Sequence, residues 1–298
     1  MNFSVPATSA NLGPGFDSLG LSLNFRNFFT ITPSSTQSIQ INGEGSNRAK
    51  FLNDNMFVRI FKEVTKKIGD PSLQYDFNFN NFIPISRGLG SSSALIVGAI
   101  FSAYKLANKI PNKQEILNIA LNYENHPDNI TPAVFGGFNV SVVKHHKNHN
   151  TVVTLRKNMP SSVRAVMVIP PKAMNTKYSR NILPKAYNTQ DCVFNLSHAS
   201  LLSFAFAEER WDMLKEAALD RMHQDQRMRD MPILFDIINA SYDAGSLMAT
   251  LSGSGSSIFS LCYEDDANKI ATKLQERFSK YKVLDLAFDN DGVKIEKF

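Results

Sequence analysis

Cysteine is nearly absent from this sequence. Cys192 and Cys262 are the only two in 298 residues, too few for a disulfide framework, and they predict a reducing, cytoplasmic setting. Long apolar runs are missing too: none reaches the roughly 20 residues that a membrane span requires. The first six residues, MNFSVP, have neither the basic start nor the apolar core of a secretion signal. Charge is not concentrated. The 32 Lys and Arg exceed the 27 Asp and Glu by five, but they are scattered rather than striped. No basic stripe with stacking aromatics marks a nucleic-acid surface, and the balance suits an anionic small substrate equally well. Repeats and low-complexity tracts are also lacking. What remains is an ordinary globular composition, 43% hydrophobic and 20% charged, with length for one large domain or two ordinary ones.

Against this plain background one stretch stands out. Pro84, Ile85, Ser86, Arg87, Gly88, Leu89, Gly90, Ser91, Ser92, Ser93 and Ala94 run from a glycine turn into an apolar segment, 95–106, that reads as a buried helix. Free N–H groups and the positive end of the helix dipole meet at such a start, so an anion can be bound there. Gly88 and Gly90 let the backbone approach a ligand, and the three serines offer hydroxyls to phosphate or to a hard cation. Read alone, the stretch is equally a capped core helix. A Walker loop is excluded, because no Lys follows the glycines. The dinucleotide fingerprint is excluded as well, because Ser93 stands where a third Gly or Ala belongs.

The rest of the chain supplies context. Residues 5–20 hold three glycines and two prolines and read as an ordered loop carrying Asn11 and Asp17. Residues 21–41 read as strands. Asp54 is placed to cap a helix to about residue 68, with Met56, Phe57, Ile60, Phe61 and Val64 on one face. Tyr75, Phe77 and Phe79 alternate with polar residues, a half-buried strand leading into the glycine turn. Asn112 and Glu115 open a further helix ending near Tyr123. Next, Glu124, His126, Asp128 and Asn129 crowd around a proline; a Mg²⁺ ligand and a group near a reacting hydroxyl suit that set, as does a polar turn. Residues 136–143 and 151–155 read as a hairpin, with a His-rich tip that fits a solvated turn better than a metal tract. After a boundary near residue 159 come a strand at 163–169, basic stretches at 175–184 and 221–229, and a helix-like run at 191–207. A helix at 233–244, a strand–glycine loop–strand at 249–261, a helix at 266–280 and a strand at 283–288 complete an α+β pattern.

Three Gly/Ser-rich loops in one chain resemble the GHMP superfamily, which includes galactokinase, homoserine kinase and mevalonate kinase. The middle loop is similar to its ATP loop and residues 251–257 (LSGSGSS) to its third motif. Residues 6–17 (PATSANLGPGFD) and 124–129 (ENHPDN) are similar to homoserine kinases in particular. Thr176 and Arg180 ahead of Leu183-Pro184, and Arg227 closing 223–227, fit that family's pattern; Gln224, Asp225 and Gln226 depart from its His-Glu-Pro-Tyr-Arg wording. The resemblance implies an α+β, two-domain GHMP kinase fold, a ribosomal S5 domain 2-like unit at 1–158 and a ferredoxin-like unit at 159–298. It implies ATP-dependent phosphorylation of L-homoserine in threonine biosynthesis, with no nucleic-acid or membrane partner, and it is compatible with a homodimer. Residues 84–94 and Asn55 would then bind ATP; Ser92 and Glu124 would hold Mg²⁺; Asn11, Asp17, Thr176, Arg180 and Arg227 would bind the amino acid; Asn11, His126, Asp128 and Asn129 would line its hydroxyl. Asp128, with an ordinary carboxylate pKa near 3.9, is expected to orient the hydroxyl rather than deprotonate it. The other readings are a related small-molecule kinase and a binding protein on the same scaffold.

Overall fold

Strand β1 (Asn2–Ala10) is buried on both faces. Phe3, Val5 and Ala7 enter the apolar core, while Ser4, Thr8 and Ser9 turn to polar partners. The start of the expected 5–20 loop is therefore strand. Pro6 is tolerated because the pairing with β2 (Leu19–Ser34) shifts register between Pro6 and Ala7, at a bulge. The computed structural model describes residues 1–110, 112–147, 149–174 and 176–297, without the side chains of Thr176 and Lys177.

β2 continues across β4 (Gln74–Asn81), which pairs in parallel with β3 (Ser38–Gly43). The hairpin β5 (Phe138–His145) and β6 (Asn150–Lys157) joins the other end of β2. Helices α1 (Lys50–Asn53), α2 (Met56–Ile68), α3 (Ser91–Leu106), α4 (Lys113–Ala120) and α5 (Pro127–Phe135) complete this half. The cap of α2 is Asn55, which accepts from the N–H of Val58 at 3.2 Å, whereas Asp54 pairs with Arg59. The apolar stripe of α2 lies against the sheet: Phe57 stacks on Phe29 at 5.2 Å and Phe79 at 4.9 Å. α3 is apolar nearly all round and is buried accordingly.

The second half begins with β7 (Val163–Ile169). An excursion follows through α6 (Thr176–Asn181), α7 (Thr189–Ala207), α8 (Leu214–Ala217) and α9 (Gln224–Met228). Then come α10 (Ile233–Ala244), β8 (Met248–Leu251), β9 (Ile258–Tyr263), α11 (Glu264–Arg277) and β10 (Lys282–Leu286). The strand order β10-β7-β9-β8, all antiparallel, is that of a split βαββαβ unit, the ferredoxin-like half that was expected. One face of this sheet, with Val166, Val168, Ile258 and Cys262, packs on α10 and α11. The other, with Ala165, Met167, Phe259 and Leu261, joins the core of the first half.

The expected boundary at 158/159 falls between β6 and β7, but the chain crosses it again. β11 (Lys294–Ile295) pairs with β1, and Phe288 bridges to Leu23. A buried ion pair between Arg26 and Asp289 fastens this return. Arg26 also donates to Ser4 Oγ (2.7 Å) and to the Gly292 carbonyl (2.6 Å), while Asp289 accepts from the Gly292 N–H (2.7 Å). Removing one partner of such a pair leaves an uncompensated buried charge, so Arg26→Met should cost about 3–5 kcal/mol in urea unfolding. A loss below about 1 kcal/mol would show that the strap is held by packing instead.

Candidate active site

The turn before α3 is built by turning its carbonyls inward. The Ser86 carbonyl accepts from Met174 N–H (3.0 Å), Arg87 from Ser257 N–H (3.1 Å), Gly88 from Ser252 Oγ (2.6 Å) and Leu89 from Thr8 N–H (3.1 Å). The N–H groups of Gly88 through Ser93 donate to nothing within the described residues. Six successive donors are thereby free at the N-terminus of a sixteen-residue helix. Glycine is required at two points: a Cβ on Gly88 would lie 2.0 Å from the Ser252 carbonyl, and one on Gly90 1.9 Å from Thr8 Oγ1. The hydroxyls of Ser91, Ser92 and Ser93 are likewise without hydrogen-bond partners among the described residues, as is the half-buried carboxylate of Glu124.

This turn walls a cleft of about 320 Å³. Of the expected site residues, Asn11, Asp17, Asn55, all of 84–93, Glu124, His126, Asp128, Asn129, Arg180 and Arg227 line it. Ala94 is buried beneath the turn and the Thr176 side chain lies outside the described residues. Two asparagines have their side chains committed to the scaffold. Asn55 caps α2 and donates to the Phe51 carbonyl (3.1 Å). Asn11 donates to the Gly253 carbonyl (2.9 Å) and accepts from the Asp17 N–H (3.0 Å), so it positions Asp17 and the third loop. The side chain of Arg87 donates to the carbonyls of Ile85, Pro170 and Pro171, tying the turn to the end of β7.

Charges of both signs converge at the other end. Asp17 pairs with Arg180 (2.6 Å) and with His126 Nδ1 (3.3 Å). Arg227 is buried, held by the carbonyls of Ser179 (3.4 Å) and Gly253 (3.1 Å) and by His223 Nδ1 (3.3 Å). Burial, reinforced by the nearby Arg180 charge, brings its pKa down to about 10. Of the departures at 224–226, Gln224 accepts from the Leu251 N–H (2.7 Å) through its side chain. Asp128 is 4% exposed. Burial, with the Asp17 and Glu124 charges beside it, pushes its pKa up to about 8. Burial likewise raises Glu124 and lowers His126. Asn129 accepts from Thr8 Oγ1 (2.7 Å), which fixes it beside Gly90.

The sequence reading passed over the apolar wall of the cleft: Ile41 and Phe79, paired across β3 and β4, with Phe51, Met56 and Leu95. It also passed over Gly253 and Ser254, although these stand inside the third glycine motif. At the β5–β6 tip, the His146 and His149 rings stack at 4.6 Å, and no metal-holding cluster of His, Cys, Asp or Glu exists among the described residues.

Residues 55–137 match the family model of the GHMP kinases N terminal domain, and residues 204–280 that of the GHMP kinases C terminal. The chain is 55% identical to the homoserine kinase of Wolinella succinogenes over 293 residues, 98% of this chain and 99% of that one. It is 52% identical to the homoserine kinase of Helicobacter pylori strain 26695 over 297 residues, the full length of both. The crystal structure of a homoserine kinase from Cytophaga hutchinsonii is similar with a TM-score of 0.86 at 24% identity, over 99% of this chain and 97% of that one. The L. major mevalonate kinase solved with R-mevalonate follows at 0.71 and 13%, over 96% and 95%. These two likenesses concern the fold.

The raised pKa of Asp128 has a consequence for stability. Its native value lies above its unfolded one, so between about pH 4 and pH 8 the native state binds the extra proton and stability falls as pH rises. Asp128→Asn should therefore melt above the unaltered chain at pH 8, with the advantage shrinking toward pH 4. A pH-independent difference in melting temperature would contradict the assignment.

Proposed function

The chain belongs to the homoserine kinases of the GHMP kinase family, and we propose that its cleft transfers the terminal phosphoryl group of ATP to the hydroxyl of L-homoserine, giving O-phospho-L-homoserine on the route to threonine. The observation that carries this reading is the meeting of two unlike receptors in one cleft. At one end are six free N–H groups suited to phosphate oxygens. At the other, Asp17 stands with Arg180 and Arg227, one anion and two cations, a match for an ammonium and a carboxylate.

Phosphoryl transfer asks mainly for positioning and charge stabilisation. The turn at Gly88–Ser93 wraps the phosphates, and the apolar wall of Ile41, Phe51, Met56, Phe79 and Leu95 takes the base. Ser92 and Glu124 fit Mg²⁺: both are oxygen donors left unpaired, and that ion commonly takes one or two protein ligands beside phosphate oxygens. Held there, the ion would neutralise charge on the phosphates. Asp17 releases Arg180 to receive the substrate's ammonium, and Arg180 and Arg227 take the carboxylate. Asp128 and Asn129 lie where the hydroxyl must enter, next to Gly90.

The expectation that Asp128 chiefly orients the hydroxyl rested on an ordinary carboxylate pKa and on a loose transition state that asks little activation of the nucleophile. With a pKa of about 8 it is a better-matched proton acceptor once ionised, the protonated form prevailing below that pH. It accepts the hydroxyl's hydrogen bond and takes the proton as the oxygen–phosphorus bond forms and ADP departs. A mevalonate-type substrate has no ammonium and would leave its carboxylate facing Asp17. A binding protein without catalysis would not need the intact turn and Glu124.

Homoserine-dependent release of ADP is the direct test, run beside hydroxy acids and amino alcohols; release with mevalonate but not homoserine would overturn the reading. Arg180→Ala should raise the homoserine KM at least about tenfold and leave the ATP KM nearly unchanged. Asp128→Asn should lower kcat by about 10²–10⁴ and abolish an acid limb of kcat/KM, rising with pH and centred at or below pH 8. Retention of that limb in the variant would move the base elsewhere.

A further inference from the structure

Two arginines share one wall of the cleft; Asp17 is hydrogen-bonded to Arg180 (2.6 Å) and only lends its charge to Arg227. What they share is a ring. The guanidinium carbon of Arg180 lies 5.3 Å from the centroid of Phe16 and that of Arg227 lies 5.2 Å from it. The imidazole of His223 stacks on the same ring at 5.1 Å and 29°. His223 in turn bridges the loop to Arg227: Nε2 donates to the Gly13 carbonyl (2.8 Å) and Nδ1 accepts from Arg227 Nη1 (3.3 Å). Phe16 is half-buried and does not itself line the cleft.

We propose that Phe16 is a positioning residue that gathers Arg180 and Arg227 into a single receptor for the substrate's carboxylate. The proposal rests on the amino-acid reading of the cleft given above. Two like charges brought together repel, and an anionic side chain between them would hold them at the cost of neutralising the attraction meant for the substrate. An aromatic face stabilises both cations without neutralising either, because it presents a quadrupole and not a charge. Phe16 also competes for none of their hydrogen bonds. Arg227 Nη2 consequently has no partner among the described residues, and Arg180 spends only Nη2, on Asp17. The next residue, Asp17, has a positive φ of 58°, which turns the chain so that the ammonium partner and the ring lie on one short loop.

The test uses the full chain with Phe16→Leu and Phe16→Tyr, assayed with L-homoserine and with 3-aminopropan-1-ol, the same amino alcohol without its carboxylate. Phe16→Leu should raise the homoserine KM about tenfold or more, with kcat within about threefold and the ATP KM within about twofold. Phe16→Tyr, which keeps the ring, should stay within about twofold of the unaltered chain. The affinity for 3-aminopropan-1-ol, read as its KM or inhibition constant, should be the same in all three. Equal losses for homoserine and for the decarboxylated analogue, or no loss with Leu, would overturn the proposal. Homoserine turnover by the unaltered chain is the control, and its absence would sink the amino-acid reading itself rather than the role of Phe16. Melting curves verify the fold of each variant, and Phe16→Met gives the same comparison should Leu fail to fold.

Discussion

Six backbone donors left without an internal acceptor are an expensive arrangement, and much of the structure around the cleft exists to maintain it. A peptide chain left alone would spend those groups on its own carbonyls. Here the carbonyls are occupied first, by Thr8 in the first strand, by Met174 beyond β7 and by Ser252 and Ser257 beyond β8. These partners come from both halves of the chain. The turn with its free donors is therefore a property of the assembled pair of units, and the clamp of Arg87 onto the carbonyls of Pro170 and Pro171 belongs to the same joint.

The electrostatics of the cleft follow a similar logic. Three acids and two arginines meet in a partly buried space, and the balance between them is local. Asp17 satisfies Arg180 and His126. Asp128, deepest of the three acids, is left to burial and to its acidic neighbours, which is why it holds a proton far above the range of an exposed carboxylate. Charges crowded in this way cost stability, the familiar opposition of stability and activity.

Legibility in the sequence followed the locality of the cause. The glycine turns were readable because the positive φ they adopt, as at Gly88 and Gly90, is a local requirement that favours glycine, although the oxygens of Ser252 and Thr8 that crowd them come from far along the chain. Strand and helix patterns gave the α+β character of the second half, and the family resemblance its ferredoxin-like form. The apolar wall was not, because Ile41, Phe79 and Leu95 look like any core residues until a cavity is left beside them. Asn11 and Asn55 were identified by residue type, but their hydrogen bonds turn out to hold loops and a helix cap. β11, at two residues, is too short to carry any period. The pKa of Asp128 depends on how deeply α5 is set, which no spacing of residues encodes.

The return of the chain to its first sheet bears on the order of synthesis. β1 finds one neighbour, β2, within a few residues, but its other edge waits for Lys294 and Ile295. At Phe3 and Ser4 that edge is left without a strand partner until the return segment arrives, while at Thr8 it is already joined to Leu89. The first sheet is completed by a segment from beyond the second half, unlike a domain that closes within its own stretch of chain. Residues 288–295 thereby act as a late closure over the edge that β1 presents.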